Sequence, residues 1–403
     1  MKKFDIPEYY RSPIISKVKA KRKLEDPRKQ NFSPSSLKFD GIEFIISRHF
    51  GFCYGVENAI EKSYNAVHEN PDKRIFLISQ MIHNPDVNAD LQNLGVKFIQ
   101  DTEGNVLIPW EDINSDDIII IPAFGTTIET MEIIKSKGLD TRMYNTTCPF
   151  VEKVWNRSKK LGENNHTVII HGKHMHEETR ATFSHSQSNS PSIILKDIHE
   201  AKIVKDCING KLSNDDFLKQ FKGKYSKGFN PKIHLTKIGV VNQTTMLASE
   251  TQEIADFFRQ VMVEKYGEES INDHISDTRD TLCYATNDNQ SATLKLLESE
   301  ADLAIIVGGH NSSNTTHLVE LLEKKFPSYF IRNEHDILNN KEIRSFDIHK
   351  KELKTLTDYF PKKELLKVII TSGASCPDAV VDRVIQRLLH LNNVEFNANS
   401  IEF

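Results

Sequence analysis

From about residue 43 the sequence repeats one unit nine times: a short apolar strand, a loop that is polar or contains glycine, then a helix with apolar residues at i, i+3 and i+4. Strands that alternate with helices form a core as α/β layers around parallel sheets, because each helix returns the chain over the sheet before the next strand begins. In such sheets ligands gather outside the carboxyl ends of the strands, which is where all nine loops fall. The fold class is therefore α/β.

Taken in threes, the units give one pattern three times: a cysteine loop followed by two loops rich in His, Ser, Thr or Asn. Cys53, in GFCYGVENAI, opens the first set, which continues with His83 and with Phe124 and Gly125. Cys148, in TTCPFVEKVW, opens the second, followed by His176 and Glu178 and then by Gln243, Thr244 and Thr245. Cys283, in LCYATNDNQ, opens the third, followed by GGHNSSN and SGASCPD. The pattern predicts three related α/β domains, 41–147, 148–272 and 273–403, in a pseudo-threefold arrangement that converges the loops on one pocket. Residues 1–40 read as an N-terminal extension. The polar stretch from about 197 to 232, which contains Cys207, reads as a surface insertion.

Each phased cysteine starts a helix, where unpaired amides and the helix dipole favour a thiolate. Separations of 95 and 135 residues match no zinc ribbon or finger, so one cysteine per set implies metal ligands assembled where the domains meet. Three thiolates are one short of the four that hold a complete 4Fe-4S cluster. On spacing alone, three buried core thiols stay open as the alternative. Cys207 and Cys376 break the phase and read as ordinary packed thiols. Five scattered cysteines suggest no disulfide framework and fit a reducing compartment.

The net charge of -4 conceals an asymmetry: residues 1–40 carry eleven Lys or Arg against five Asp or Glu. Without aromatic interleaving or a reader motif, this basic stretch reads as a solvated extension, with no nucleic-acid role. It lacks the apolar core of a secretory signal, and its acids fit an organellar transit peptide poorly, so a cytoplasmic location is expected. The longest apolar runs are strand-sized, which predicts no membrane span.

GGHNSSN places Ser312, Ser313 and Asn314 at a helix N-terminus, where an anion is stabilised, and SGASCPD repeats the design with Ser375. Singly, such residues serve equally as helix caps. His83 and His176 occupy the same loop phase and can donate to phosphate oxygens. The cluster HGKHMHEE lacks the HExxH spacing of a helical zinc site. Glu178 fits two roles, proton delivery to a departing hydroxyl or first-turn helix acid.

These residues, in this order, resemble the 4-hydroxy-3-methylbut-2-enyl diphosphate reductase family over about residues 43 to 390. The resemblance rests on GFCYGVENAI, the IHN within Met81 to Pro85, TTCPFVEKVW, HEET, NQTT, LCYATNDNQ, GGHNSSN and TSGASCPD. It implies a trefoil of three α/β domains around one central 4Fe-4S cluster, held by Cys53, Cys148 and Cys283 with the fourth iron open to the substrate hydroxyl. It further implies that His83, His176, Gln243, Thr244, Ser312, Ser313, Asn314 and Ser375 hold the diphosphate or line its pocket. Glu178 matches the catalytic proton donor, and Thr244 the hydroxyl that positions the substrate alcohol. One departure stands out: PAFG carries Phe124 where the commonest bacterial form has a diphosphate-binding histidine. That wording, HEET, the insertion and the extension resemble the plant and cyanobacterial branch, which leaves plastid import as the alternative location.

The implied activity is reductive dehydroxylation of (E)-4-hydroxy-3-methylbut-2-enyl diphosphate to isopentenyl and dimethylallyl diphosphate, the last step of the non-mevalonate isoprenoid pathway. No GxGxxG follows a strand, so electrons are expected from a donor such as ferredoxin or flavodoxin. Two rivals stand beside this reading. A non-redox iron–sulfur hydro-lyase would need no reductant. An iron–sulfur redox sensor would have no use for anion-binding loops.

Overall fold

The structure of the chain, a computed structural model, describes residues 5–28, 30–276 and 281–394. It forms two compact units, one from the described residues of Met1–Glu57, His83–Val87 and Tyr284–Phe403, the other from those of Asn58–Ile82 and Asn88–Cys283. The fold is mixed α/β.

The first unit is built on a five-stranded sheet in the order Ser35–Phe39, Ile42–Ile46, Leu366–Ser372, Leu303–Val307, Ser328–Ile331. Only the first pair is antiparallel, turned at Asp40 and Gly41, where Gly41 takes the positive φ of 68° that a tight hairpin asks of a residue without a Cβ. The remaining neighbours are parallel. Leu303–Val307 is buried at every position, as a central parallel strand covered on both faces should be. Ile42–Ile46 is a strand of this C-terminal sheet, since it pairs in parallel with Leu366 to Ile370. The boundary drawn at residue 41 from the sequence therefore does not separate hydrogen-bonded layers.

The extension corrects a sequence expectation. Ser12 caps the helix Pro13–Glu25 by accepting from Ile15 N–H, and Ile14, Ile15 and Val18 are buried in the core with Val381, Ile385 and Leu388. Its hydroxyl also donates to buried Asp382. Lysines crowd the segment in composition, yet its apolar residues share one helical face and Arg22 is turned inward, so residues 13–25 are core structure rather than a solvated tail.

The second unit carries two parallel sheets. One orders Lys97–Phe98, Ile75–Leu77 and Ile118–Ile120; the other orders Ser192–Leu195, Thr167–His171, Ile238–Asn242 and Ile275–Ser276. The stretch expected to be a surface insertion folds as the helices Ile198–Ile208, Asn214–Gln220 and Pro231–His234. Ala201, Val204, Ile208, Phe217, Phe221 and Phe229 join the core under the four-stranded sheet, with the Phe217 and Phe221 rings stacked at 4.6 Å. The surface expectation fails because those residues recur at helical spacing within an otherwise polar stretch. Among the described residues, no helix is long and apolar enough to cross a membrane.

Ile15 and Leu24 share the N-terminal helix but are 0% and 86% exposed, so truncating them separates a docked helix from a tail. Ile15→Ala should cost about 3 kcal/mol in urea unfolding, and Leu24→Ala less than about 0.5 kcal/mol.

Candidate functional site

The twelve residues singled out in the sequence fall into two sets, one in each unit. In the second unit, strand Thr167–His171 leads through a short loop to helix Glu177–Gln187, and strand Ile238–Asn242 runs beside it. Parallel pairing of His171 with Asn242 brings the loops that follow to the same edge. Those loops and the first turn of helix Glu177–Gln187 carry His176, Glu178, Gln243 and Thr244.

Glu178 is 1% exposed. One carboxyl oxygen accepts the Thr244 backbone N–H, and the other accepts the Thr244 hydroxyl at 2.9 Å. Burial pushes its pKa up to about 7, against the opposing pull of the two Thr244 hydrogen bonds. A carboxyl group poised there gives and takes protons near neutrality. His176 caps the same helix, its Nδ1 accepting the Glu178 N–H at 3.2 Å. The Phe124 ring stands edge-on to the His176 imidazole at 5.6 Å and 84°, so this position offers an apolar wall that fixes the ring and no donor of its own.

Gln243 is fully enclosed and its carboxamide is oriented by neighbours. Its oxygen accepts from the Thr179 hydroxyl at 3.0 Å and Lys173 N–H at 3.1 Å, and its nitrogen donates to the Thr245 hydroxyl at 2.7 Å. Gln243 thus ties two loops together. Cys148 is the N-cap of helix Pro149–Glu163 and donates its backbone N–H to the Ala123 carbonyl. Burial pushes its thiol up to about 12, helped by the sulfur of Cys283 and the carboxyl of Glu178. Two residues before Cys283, the Thr281 hydroxyl donates to the Asn242 side chain.

In the first unit, Ser312 caps helix Ser313–Leu322 by accepting from Thr315 N–H. The Asn314 oxygen accepts from Ala374 N–H at 2.9 Å and from Asn289 at 3.4 Å, which leaves its amide nitrogen buried with no hydrogen-bond partner among the described residues. A buried donor in that state is expensive unless a ligand accepts from it. The Ser375 hydroxyl donates to the His83 carbonyl at 3.1 Å, and Asn84 donates to the Ser375 carbonyl. Gly309 lets these loops approach, since a Cβ there would collide with the His83 carbonyl. Cys53 sits at the same edge, its N–H bonded to the Ala374 carbonyl at 3.2 Å.

The structure therefore gathers Cys53, His83, Ser312, Ser313, Asn314 and Ser375 in one unit, and Cys148, His176, Glu178, Gln243, Thr244 and Cys283 in the other. Among the described residues, no group of three His, Cys, Asp or Glu side chains stands within reach of one metal ion. Cys376 is sealed in the core and Cys207 is half-buried, as packed thiols, and among the described residues, which include all five cysteines, there is no disulfide. Thr179 and Asn289, which hold Gln243 and Asn314, were not singled out in the sequence, and Thr245 was named there only as part of its loop. They lie inside HEET, NQTT and LCYATNDNQ, so the motifs mark them without revealing what they touch.

A family model described as LytB protein matches residues 44–389. The chain belongs to the LytB family. It is 40% identical over 366 residues to the 4-hydroxy-3-methylbut-2-enyl diphosphate reductase of Picosynechococcus sp., covering 91% of this chain and 88% of that protein. The enzyme of the same name from Crocosphaera subtropica is 38% identical, covering 95% of this chain and 90% of the relative. The fold is similar to a solved (E)-4-hydroxy-3-methyl-but-2-enyl diphosphate reductase, with a TM-score of 0.52, 22% identity and coverage of 86% and 99%. It is also similar to the E-1-hydroxy-2-methyl-but-2-enyl-4-diphosphate reductase from Plasmodium falciparum, with a TM-score of 0.62, 23% identity and coverage of 87% and 89%. Membership of this family of oxidoreductases sets the hydro-lyase and sensor readings aside.

Glu178 also makes folding depend on pH in this LytB-family chain. Its pKa rises from 4.5 to about 7 on folding, so its contribution to stability is full below 4.5 and is lost as pH climbs through 7. Wild type should lose roughly 3 kcal/mol more than Glu178→Gln across that window, measured by urea unfolding.

Proposed function

We propose that this chain reduces (E)-4-hydroxy-3-methylbut-2-enyl diphosphate to isopentenyl and dimethylallyl diphosphate, the terminal step of the non-mevalonate pathway. The observation that carries the reading is the buried Glu178 carboxyl, poised near neutral pH beside Thr244 and Cys148. Overall, the allylic C–O bond breaks, two electrons and two protons enter, and the hydroxyl departs as water.

The chemistry of the thiols fits an iron–sulfur cluster. Burial, with the nearby sulfur of Cys283, disfavours ionisation of Cys148, so a thiolate there calls for a metal cation to balance it. Cys53, Cys148 and Cys283 would hold one 4Fe-4S cluster with one open iron. When bound, that group supplies electrons singly and a Lewis-acidic iron for the substrate oxygen.

The chain's own residues do the rest. Glu178 holds a proton for the departing hydroxyl and delivers it as the C–O bond weakens. Thr244 orients that carboxyl through its backbone N–H and hydroxyl, and so aims the proton. The buried Asn314 amide, His83, His176, Ser312, Ser313 and Ser375 supply donors for the diphosphate, and Gln243 holds the loop that carries Thr244. Phe124 offers no donor, which places more of the phosphate charge on the amide and hydroxyl groups.

The finer architecture belongs to the same proposal: domains at 41–147, 148–272 and 273–403 in a trefoil around the cluster, a reading supported by the nine-unit pattern, with strand Ile42–Ile46 lent to the sheet of the third. Ferredoxin or flavodoxin is the proposed electron donor and the cytoplasm the proposed location, with the plastid as the alternative.

The test is turnover of the diphosphate substrate by anaerobically purified protein with reduced methyl viologen. Isoprenoid diphosphates should form, and the rate should fall as pH rises through about 7, where Glu178 loses its proton. Glu178→Gln can accept from Thr244 N–H and donate to its hydroxyl, so it should keep fold and iron while losing at least roughly 100-fold in rate. Near-normal turnover in that variant would remove Glu178 from the reaction.

A further inference from the structure

The chain from Ile46 to Cys53 leaves a sheet edge and crosses to the helix that begins at Tyr54. A segment of this kind presents carbonyls with no strand to pair them, and it would wander unless something else accounts for its hydrogen bonds. The N-terminal helix does so. The Arg22 guanidinium is turned into the molecule and is 5% exposed. One terminal nitrogen donates to the carbonyls of Ser47 and Arg48, each at 2.8 Å, and the other to the carbonyl of Ile46 at 3.0 Å. Its Nε donates to the Ser35 hydroxyl at 2.9 Å. Lys19, one helical turn earlier, donates to the Phe50 carbonyl at 3.2 Å and to Asp378 at 2.8 Å, with its ammonium 5.0 Å from the centre of the Phe50 ring. Tyr10 packs against Phe52 with ring centres 5.8 Å apart.

Four backbone carbonyls and two rings in the eight residues that end at Cys53 are thus held by the extension. A guanidinium is suited to this task, because its planar fork spans several carbonyls at once and stays charged where an ammonium would tend to lose its proton. Burial and the neighbouring Arg48 lower the Arg22 pKa to about 9, which still leaves it a cation at neutral pH.

We propose that Arg22, assisted by Lys19, is a positioning residue for the Cys53 loop, so that the N-terminal helix is part of the machinery of the site. The proposal rests on reading Cys53 as a cluster ligand. Arg22 touches neither substrate nor metal in this view; it sets where the thiol stands.

The experiment uses full-length protein with its cluster reconstituted, and compares Arg22→Gln, Arg22→Lys and Ile15→Val. The last trims the packing of the same helix and leaves the guanidinium in place. Amide hydrogen exchange is followed by mass spectrometry over residues 47–53 and over helix Asp378–Leu391, and iron is counted per chain. Arg22→Gln should raise exchange across 47–53 by about tenfold or more and lower bound iron, with the helix exchanging as in wild type. Arg22→Lys should fall between the two, since a point charge cannot span all these acceptors. Unchanged exchange across 47–53 in Arg22→Gln overturns the proposal. So does a rise shared equally by the helix, or one matched by Ile15→Val, because either would mean only a loosened fold. Wild-type protein without iron would overturn the cluster reading instead, and the exchange comparison would still decide the clamp.

Discussion

A parallel sheet delivers every loop that follows one of its strands to the same edge, and the site in this chain depends on that geometric constraint. Each crossover helix returns the chain to the far end before the next strand begins, so the carboxyl ends align and the residues just beyond them become neighbours. His171 beside Asn242 brings the Glu178 and Thr244 loops together in one unit. Val307 beside Ser372 does the same for Asn314 and Ala374 in the other. Neither pair is close in sequence.

Convergence alone would leave a wet cleft. What turns these edges into chemistry is enclosure with selective hydrogen bonding. Glu178 is denied water and given two donors, both from Thr244, among the described residues, so its proton affinity rises. Asn314 is denied water and has its oxygen occupied, so its amide nitrogen is left without an acceptor among the described residues. The same burial elevates the Cys148 thiol, which makes that sulfur a poor free nucleophile and a good ligand for a cation.

Much of this was legible in the sequence because both the repeat and the motifs are local signals. Strand, loop and helix recur at short range, and HEET, NQTT, GGHNSSN and TSGASCPD each occupy a single loop. The family followed from their order. What escaped was anything decided by a distant partner. Ile14, Ile15 and Val18 have helical spacing in the sequence, but intervening lysines dominate the composition, and only the presence of Val381 and Ile385 shows which face is buried. Arg22 counts as one more positive charge until three carbonyls more than twenty residues away are seen around it. The insertion was misread in the same way, with Phe217 and Phe221 hidden among Asp, Asn and Lys. The pairing of Ile42–Ile46 with Leu366–Ser372 spans most of the chain, and no periodicity encodes it.

That pairing orders events during synthesis. The loop that carries Cys53 leaves the ribosome more than three hundred residues before its sheet neighbour and the carbonyl that receives the Cys53 N–H. The Ser12 bond to Asp382 closes a span of 370 residues. A nascent chain can complete the local sheets of the second unit as they emerge, whereas the first unit stays open until residues 366–382 have been made. Cys53, though made before Cys148 and Cys283, thus gains its backbone partner Ala374 only after both of them have emerged.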